Sequence, residues 1–198
     1  MRTRRLNDLP AALEAGLTAI EASLEKAEPR TRGILLKRAG DLCASMGEGR
    51  RALVWYGRAV DQYLELRDTA AAGLICRMIL HVHPDAVRAR CTLCWIDIAA
   101  GRHEQAATRI WEYAEAAGKA GQQQMAAQQL GWMFDAAGEG PLRERIVFAL
   151  LRLGEGEHAG RLSQRHDPAA AAQPGGPAQV WAQLMEGTAS PAAALALA

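Results

Sequence analysis

Leu6, Leu9, Leu13, Leu17, Ile20 and Leu24 recur at steps of three or four. That spacing puts them on one face of a helix. Asp8 is a fitting N-cap and Pro10 is tolerated in a first turn. The stretch EPRTRG at 28–33 interrupts this helix. Beyond it the 3.6-residue period predicts further helices over 34–46, 51–67, 70–82, 86–100, 103–117, 122–137 and 141–153. Short punctuators separate them: Gly47-Glu-Gly49, Asp68-Thr69, His83-Pro84-Asp85, Gly101, Gly118 to Gly121 and Gly138 to Pro141. No β-alternation competes, and no connection is long enough for a parallel crossover. The expected fold is all-α, with antiparallel helix neighbours joined by tight turns.

Composition sharpens this picture. Of 198 residues, 49% are apolar and 23% charged, and the formal net charge is +1. That balance argues against a disordered chain and against a broad nucleic-acid footprint. No run of eighteen apolar residues occurs, so no membrane-spanning helix is expected. The basic start, MRTRRLNDLP, is followed by no apolar stretch of the kind a secretory signal needs. Four cysteines (Cys43, Cys76, Cys91, Cys94) without such a signal imply reduced thiols and a cytoplasmic setting.

The helices also repeat. Shifting 93–101 onto 130–138 superposes Leu93 on Leu130, Cys94 on Gly131, Trp95 on Trp132, Asp97 on Phe134 and Gly101 on Gly138. A unit near 53–86 carries Tyr56, Ala59, Tyr63, Ala72, Cys76, Ile79 and Pro84. The next, 87–120, carries Leu93, Cys94, Ala106 and Ile110, and a third starts near Gln124. This arrangement resembles the tetratricopeptide repeat family, whose 34-residue unit is a pair of antiparallel helices stacked into a superhelix. Small residues in that family mark the places of closest helix approach. Val60, Tyr113 and Arg143 depart from the pattern, because each occupies a place the family keeps small. Residues 34–66, with Gly40, Ala52 and Ala59, fit a unit of their own, so two registers stand open before residue 53. The expected organisation is an arm and leading helix over 1–33, a repeat domain over 34–157, and an Ala/Pro/Gly-rich tail over 158–198.

The resemblance implies a function class: a non-catalytic scaffold, adaptor or peripheral subunit that holds other proteins together, without cofactor. In the family the first helix of each unit lines a concave groove. Carried onto this chain, the lining positions are Arg88, Cys91, Trp95 and Ile98, then Met125, Gln128, Trp132 and Asp135, with Val54, Asp61 and Leu64 preceding them. Tryptophan anchors and adaptable methionine suit an apolar peptide or helix. The competing reading makes both tryptophans core residues packed beneath a neighbouring helix. In the tail, Val180, Trp181, Leu184 and Met185 fall at helical spacing. They are candidates for docking on the chain's own groove or on a second copy.

The chemistry-bearing stretch HVHPDAVRARCTLCW at 81–95 admits two readings. His81, His83, Cys91 and Cys94 offer four nitrogen and sulfur ligands of the sort tetrahedral zinc takes. Alternatively the stretch is the seam between two helix pairs, with Cys94 filling a small-residue position. A structural zinc site normally uses two knuckles, and the spacing here follows the repeat without an insertion, which favours the seam. No Ser-His-Asp arrangement and no Gly-rich phosphate loop with a Lys-Ser/Thr is present, so catalysis has no positive support.

Overall fold

The computed structural model describes residues 9–166. Among the described residues there are nine helices and no strand: α1 (Leu9–Leu24), α2 (Pro29–Ser45), α3 (Gly49–Glu65), α4 (Thr69–Val82), α5 (Val87–Ala99), α6 (His103–Lys119), α7 (Gln123–Ala136), α8 (Pro141–Arg152) and α9 (Gly156–His166). Within each unit, turns of a few residues send a helix back along its predecessor. Most of these turns share one design. The helix ends in a left-handed residue whose successor donates its N–H five residues back. Glu48 donates to Cys43 O, Arg102 to Asp97 O, Gln122 to Ala117 O and Glu155 to Leu150 O, each at 2.9–3.0 Å. This satisfies carbonyls that a helix end otherwise leaves orphaned. Glycine occupies the left-handed position in those four turns, whereas α3 uses Arg67 at φ 57°.

The chain forms two compact units that divide between Pro84 and Asp85. In the first, α1 packs on α2, α2 on α3 and α3 on α4. Leu13, Leu17, Ile20 and Leu24 are the buried face of α1, as the leucine spacing predicts. The closest approach is between α2 and α3. A Cβ on Gly40 would stand 2.5 Å from the Tyr56 ring, and one on Gly33 would stand 2.9 Å from Tyr63. The two glycines are seven residues apart, as are the two tyrosines, and they pair in reverse order. The helices therefore run antiparallel, with each aromatic ring laid on bare backbone. Tyr56 Oη also donates to Asp41 Oδ1 at 2.8 Å, while Lys37 Nζ holds Oδ2 at 2.8 Å. Burial, and then the Asp41 carboxylate, push the Tyr56 hydroxyl up to about 12. Gly40, Ala52 and Ala59 are all buried in this unit.

In the second unit α5, α7 and α9 lie side by side in one layer, and α6 and α8 pack together in the other. One apolar core joins them, from Cys94, Ala106, Ile110 and Tyr113 through Leu130, Met133 and Phe134 to Ile146, Leu150 and Leu162. Two of the residues that break the repeat pattern, Tyr113 and Arg143, lie in this unit. Tyr113 is buried, and its hydroxyl faces the Cys91 thiol. Arg143 Nε donates to Phe134 O at 3.2 Å near the end of α7, and its guanidinium stacks 4.7 Å above the Phe134 ring.

Two boundaries differ from expectation. The helix expected to begin at 34 starts at Pro29, because proline at the first helical position needs no N–H partner and its fixed φ suits the turn. The composition shift after Leu153 suggests a linker, yet α9 continues to His166 and buries Ala159, Leu162 and Ser163. Two glycines and few apolar residues hide this helix from its sequence. Packing against α7 and α8 holds it in place. Asp8 and Leu6 lie outside the described residues, as do Val180, Trp181, Leu184 and Met185.

Candidate protein-docking face

Helix α7 divides cleanly into two faces. Ala126, Ala127, Leu130, Gly131, Met133 and Phe134 point inward. Met125, Gln128, Trp132 and Asp135, at steps of three and four, are exposed. Met125 keeps 52% and Trp132 50% of its surface. Within the second unit they are the exposed large hydrophobics among the described residues, and they stand two helical turns apart on one face. Burying such side chains costs free energy only if polar groups go with them. Leaving a tryptophan half in water forgoes roughly 1–2 kcal/mol of transfer free energy.

The predicted α5 positions divide differently. Arg88 is exposed, and Cys91 and Trp95 are half-buried. Trp95 is held in place, since its Nε1–H donates to Gln129 Oε1 of α7 at 3.1 Å. The Cys91 thiol donates to the same oxygen at 3.7 Å. Cys91 and Trp95 thus converge on Gln129 and fix α5 against α7. Burial raises the Cys91 thiol above its ordinary range, and burial followed by Cys91 raises the Tyr113 hydroxyl, so both keep their protons. Ile98 is 8% exposed and belongs to the core, so it cannot line a groove. Helix phase explains this: between Trp95 and Ile98 the α5 face turns from the surface into the α5–α6 interface.

In the first unit Val54 and Leu64 are also exposed on α3, and Asp61 is half-buried.

Among the described residues no group of three or more His, Cys, Asp or Glu side chains could hold a metal ion. The set His81, His83, Cys91 and Cys94 is therefore not assembled as ligands. His81 is exposed. The His83 Nε2 atom is buried beside Gly49, on a cavity of about 180 Å³ walled by Ala52, Leu53 and Ile79. Cys94 is fully buried in the core, and desolvation raises its thiol far above the ordinary range. A metal ligand needs a thiolate, which that site disfavours.

The residue that sequence reasoning overlooks is Asp97, a carboxylate only 3% exposed. Arg102 grips Oδ1 through Nε at 2.9 Å and Nη2 at 2.7 Å. Arg109 Nε stands 2.7 Å from Oδ2 as an ion pair, without the alignment of a hydrogen bond. The cluster staples α5 to α6. Its signal is present in the sequence: an acid at the phase of core positions, five and twelve residues before two arginines.

A cleft of about 680 Å³ also opens between α6 and α8, walled by Ala107, Trp111, Leu142 and Arg145 and rimmed by His103 and Glu104. Trp111 is capped there by the Arg152 guanidinium at 5.1 Å. This cleft lies on the α6–α8 layer, whereas Met125 and Trp132 belong to the α5–α7–α9 layer.

No model of a known protein family matches the chain, and no curated protein matches it. Fold and face together define an all-α protein of packed helix pairs that carries an exposed Met-Trp face. No helix among the described residues is long and apolar enough to cross a membrane.

Proposed function

We propose that this protein is a non-catalytic interaction scaffold, an adaptor or peripheral subunit of a larger cytoplasmic assembly. On this reading its helix pairs stack as a solenoid like that of the tetratricopeptide repeat family. The α7 face takes an apolar helix or peptide of a partner protein. One observation carries the reading: Met125 and Trp132 are both half exposed, two turns apart on a helix whose opposite face is core. Large exposed apolar residues aligned at helical spacing are the usual anchors of a helix-in-groove contact. The layering of α5, α7 and α9 supports the stacked-pair reading, because first helices of successive units neighbour each other in such a stack. Gln128 and Asp135 supply a polar rim, as interfaces require. A near-neutral net charge fits a protein partner better than nucleic acid.

The test is affinity capture with the full chain and with a Met125→Ala/Trp132→Ala chain. A defined partner bound by the first should be lost from the second, with affinity reduced at least ~30-fold for a hot-spot tryptophan. Retention of every partner by the double variant would remove the α7 face from the interface.

A further inference from the structure

We infer that the cleft between α6 and α8 binds short peptides, two or three residues long, with apolar side chains and both termini charged. The cleft belongs to the α6–α8 layer, so the inference stands apart from the α7 face. Its volume of about 680 Å³ falls within the range of roughly 300–1,000 Å³ that small-ligand sites occupy. Each helix contributes its N-terminal turns, α6 from His103 to Glu112 and α8 from Pro141 to Arg145.

The floor of the cleft is apolar. Leu142 is buried there, and Ala107 and Trp111 are half-buried. The Arg152 guanidinium lies 5.1 Å from the Trp111 ring and fixes this wall before any ligand arrives. Such a floor takes aliphatic side chains.

The charges on the walls choose the rest of the ligand. Glu112 is already paired with Arg90 at 2.8 Å, and the Thr108 hydroxyl donates to the Glu104 backbone carbonyl at 3.3 Å. Of the acids and arginines that line the cleft, Glu104 on α6 and Arg145 on α8 remain. Both are exposed, and neither side chain pairs with the other or with another described residue. A ligand of one sign is drawn to one wall and repelled by the other. A ligand with an ammonium at one end and a carboxylate at the other satisfies both. Length then decides among such ligands. Packed helix axes stand about 8–10 Å apart. A free amino acid carries both charges on one carbon, whereas two or three extended residues carry them about 7–11 Å apart. The ammonium end therefore lies on Glu104, the carboxylate end on Arg145, and the side chains on Trp111 and Leu142.

The experiment titrates trileucine into the isotope-labelled full chain and follows the Trp111 indole N–H resonance, assigned by its loss in Trp111→Phe. That resonance should move and saturate while the Trp132 indole stays in place. Acetylating the peptide's amino terminus, or amidating its carboxyl terminus, should each weaken binding about three- to fivefold, the worth of one exposed ion pair. Glu104→Gln should weaken trileucine by the same factor and leave the acetylated peptide unaffected. Arg145→Gln should do the same and leave the amidated peptide unaffected. Both positions are exposed, and circular dichroism checks that each variant keeps its helix content. Equal binding of free and doubly blocked trileucine would reduce the cleft to an apolar surface and overturn the inference. Sensitivity to one terminus alone would assign the cleft to the end of a longer chain and overturn it too. So would movement of Trp132 in place of Trp111, or no saturable shift.

Discussion

Replacing Gly40 by alanine puts a methyl group where the structure already has a tyrosine ring. The added Cβ would lie 2.5 Å from Tyr56 Cδ1 and Cε1 and 3.0 Å from Cγ. Carbon atoms need about 3.5 Å or more, so the ring must retreat by about 1 Å. It cannot do so freely, because Tyr56 is buried and its hydroxyl is tied to Asp41 at 2.8 Å. Overpacking of this kind costs about 1–3 kcal/mol, and a broken buried hydrogen bond adds about 1. Alanine returns about 1 kcal/mol in helix propensity over glycine. The net expectation for Gly40→Ala is a loss of about 1–3 kcal/mol. Gly118 in α6 supplies the control. There a Cβ meets only Leu153 Cδ2 at 3.7 Å, an ordinary contact, so Gly118→Ala keeps the propensity gain of about 1 kcal/mol. Urea unfolding followed by far-ultraviolet circular dichroism reads both. The same substitution should lower the midpoint at 40 and raise it at 118. A Gly40→Ala chain as stable as the parent would refute the claim that bare backbone at 40 is required for the α2–α3 approach.

Three further predictions follow from particular groups. Arg67 ends α3 in the left-handed region, so Arg67→Gly should stabilise the protein by about 0.5–1 kcal/mol, read as a higher urea midpoint. A lower midpoint would show that the arginine side chain contributes more than its backbone costs. The Tyr56 hydroxyl ionises at about 12 when folded and near 10 when unfolded, so the unfolded chain gives up this proton first as pH rises. Stability present below pH 10 is therefore lost between pH 10 and 12, by about 2–3 kcal/mol from this group. Tyr56→Phe should flatten that part of the decline in urea midpoints, and an unchanged slope would contradict the assignment. At the α5–α6 staple, removing both arginines (Arg102→Met/Arg109→Met) strands a buried carboxylate and should cost about 3–5 kcal/mol. Asp97→Ala frees two arginines that already reach solvent and should cost about half as much; the reverse order in chemical denaturation would sink this account.

The helices were legible because burial imposes a period. Leu13, Leu17, Ile20 and Leu24 could only be inside if the chain is helical there, and so they are. Met125, Gln128, Trp132 and Asp135 lie out of phase with the buried Leu130 and Phe134, yet the sequence left Trp132 open between surface and core. Phase on one helix says less about which partner covers a half-exposed side chain. Trp95 and Trp132 superpose in the repeat, yet Trp95 is fastened to Gln129 while Trp132 remains in water. Ile98 likewise sits in the core where the repeat register would have put it on a wall.

The sequence by itself determined the all-α class, the positions of most helices, and the turn residues that end them. These are local matters of 3.6-residue burial, proline at first turns and glycine in left-handed ends. Tertiary structure decided what depends on residues far apart in the chain. Only the packed structure laid Tyr56 on Gly40 and Tyr63 on Gly33, closed two arginines on Asp97, and recruited α9 from a stretch with little helical signal. It also sealed Cys94 in the core, out of the ligand set that closeness in sequence suggested. The physical reason is common to all four. Side-chain chemistry is read along the chain one residue at a time, but desolvation and close approach are set by whichever helix arrives opposite.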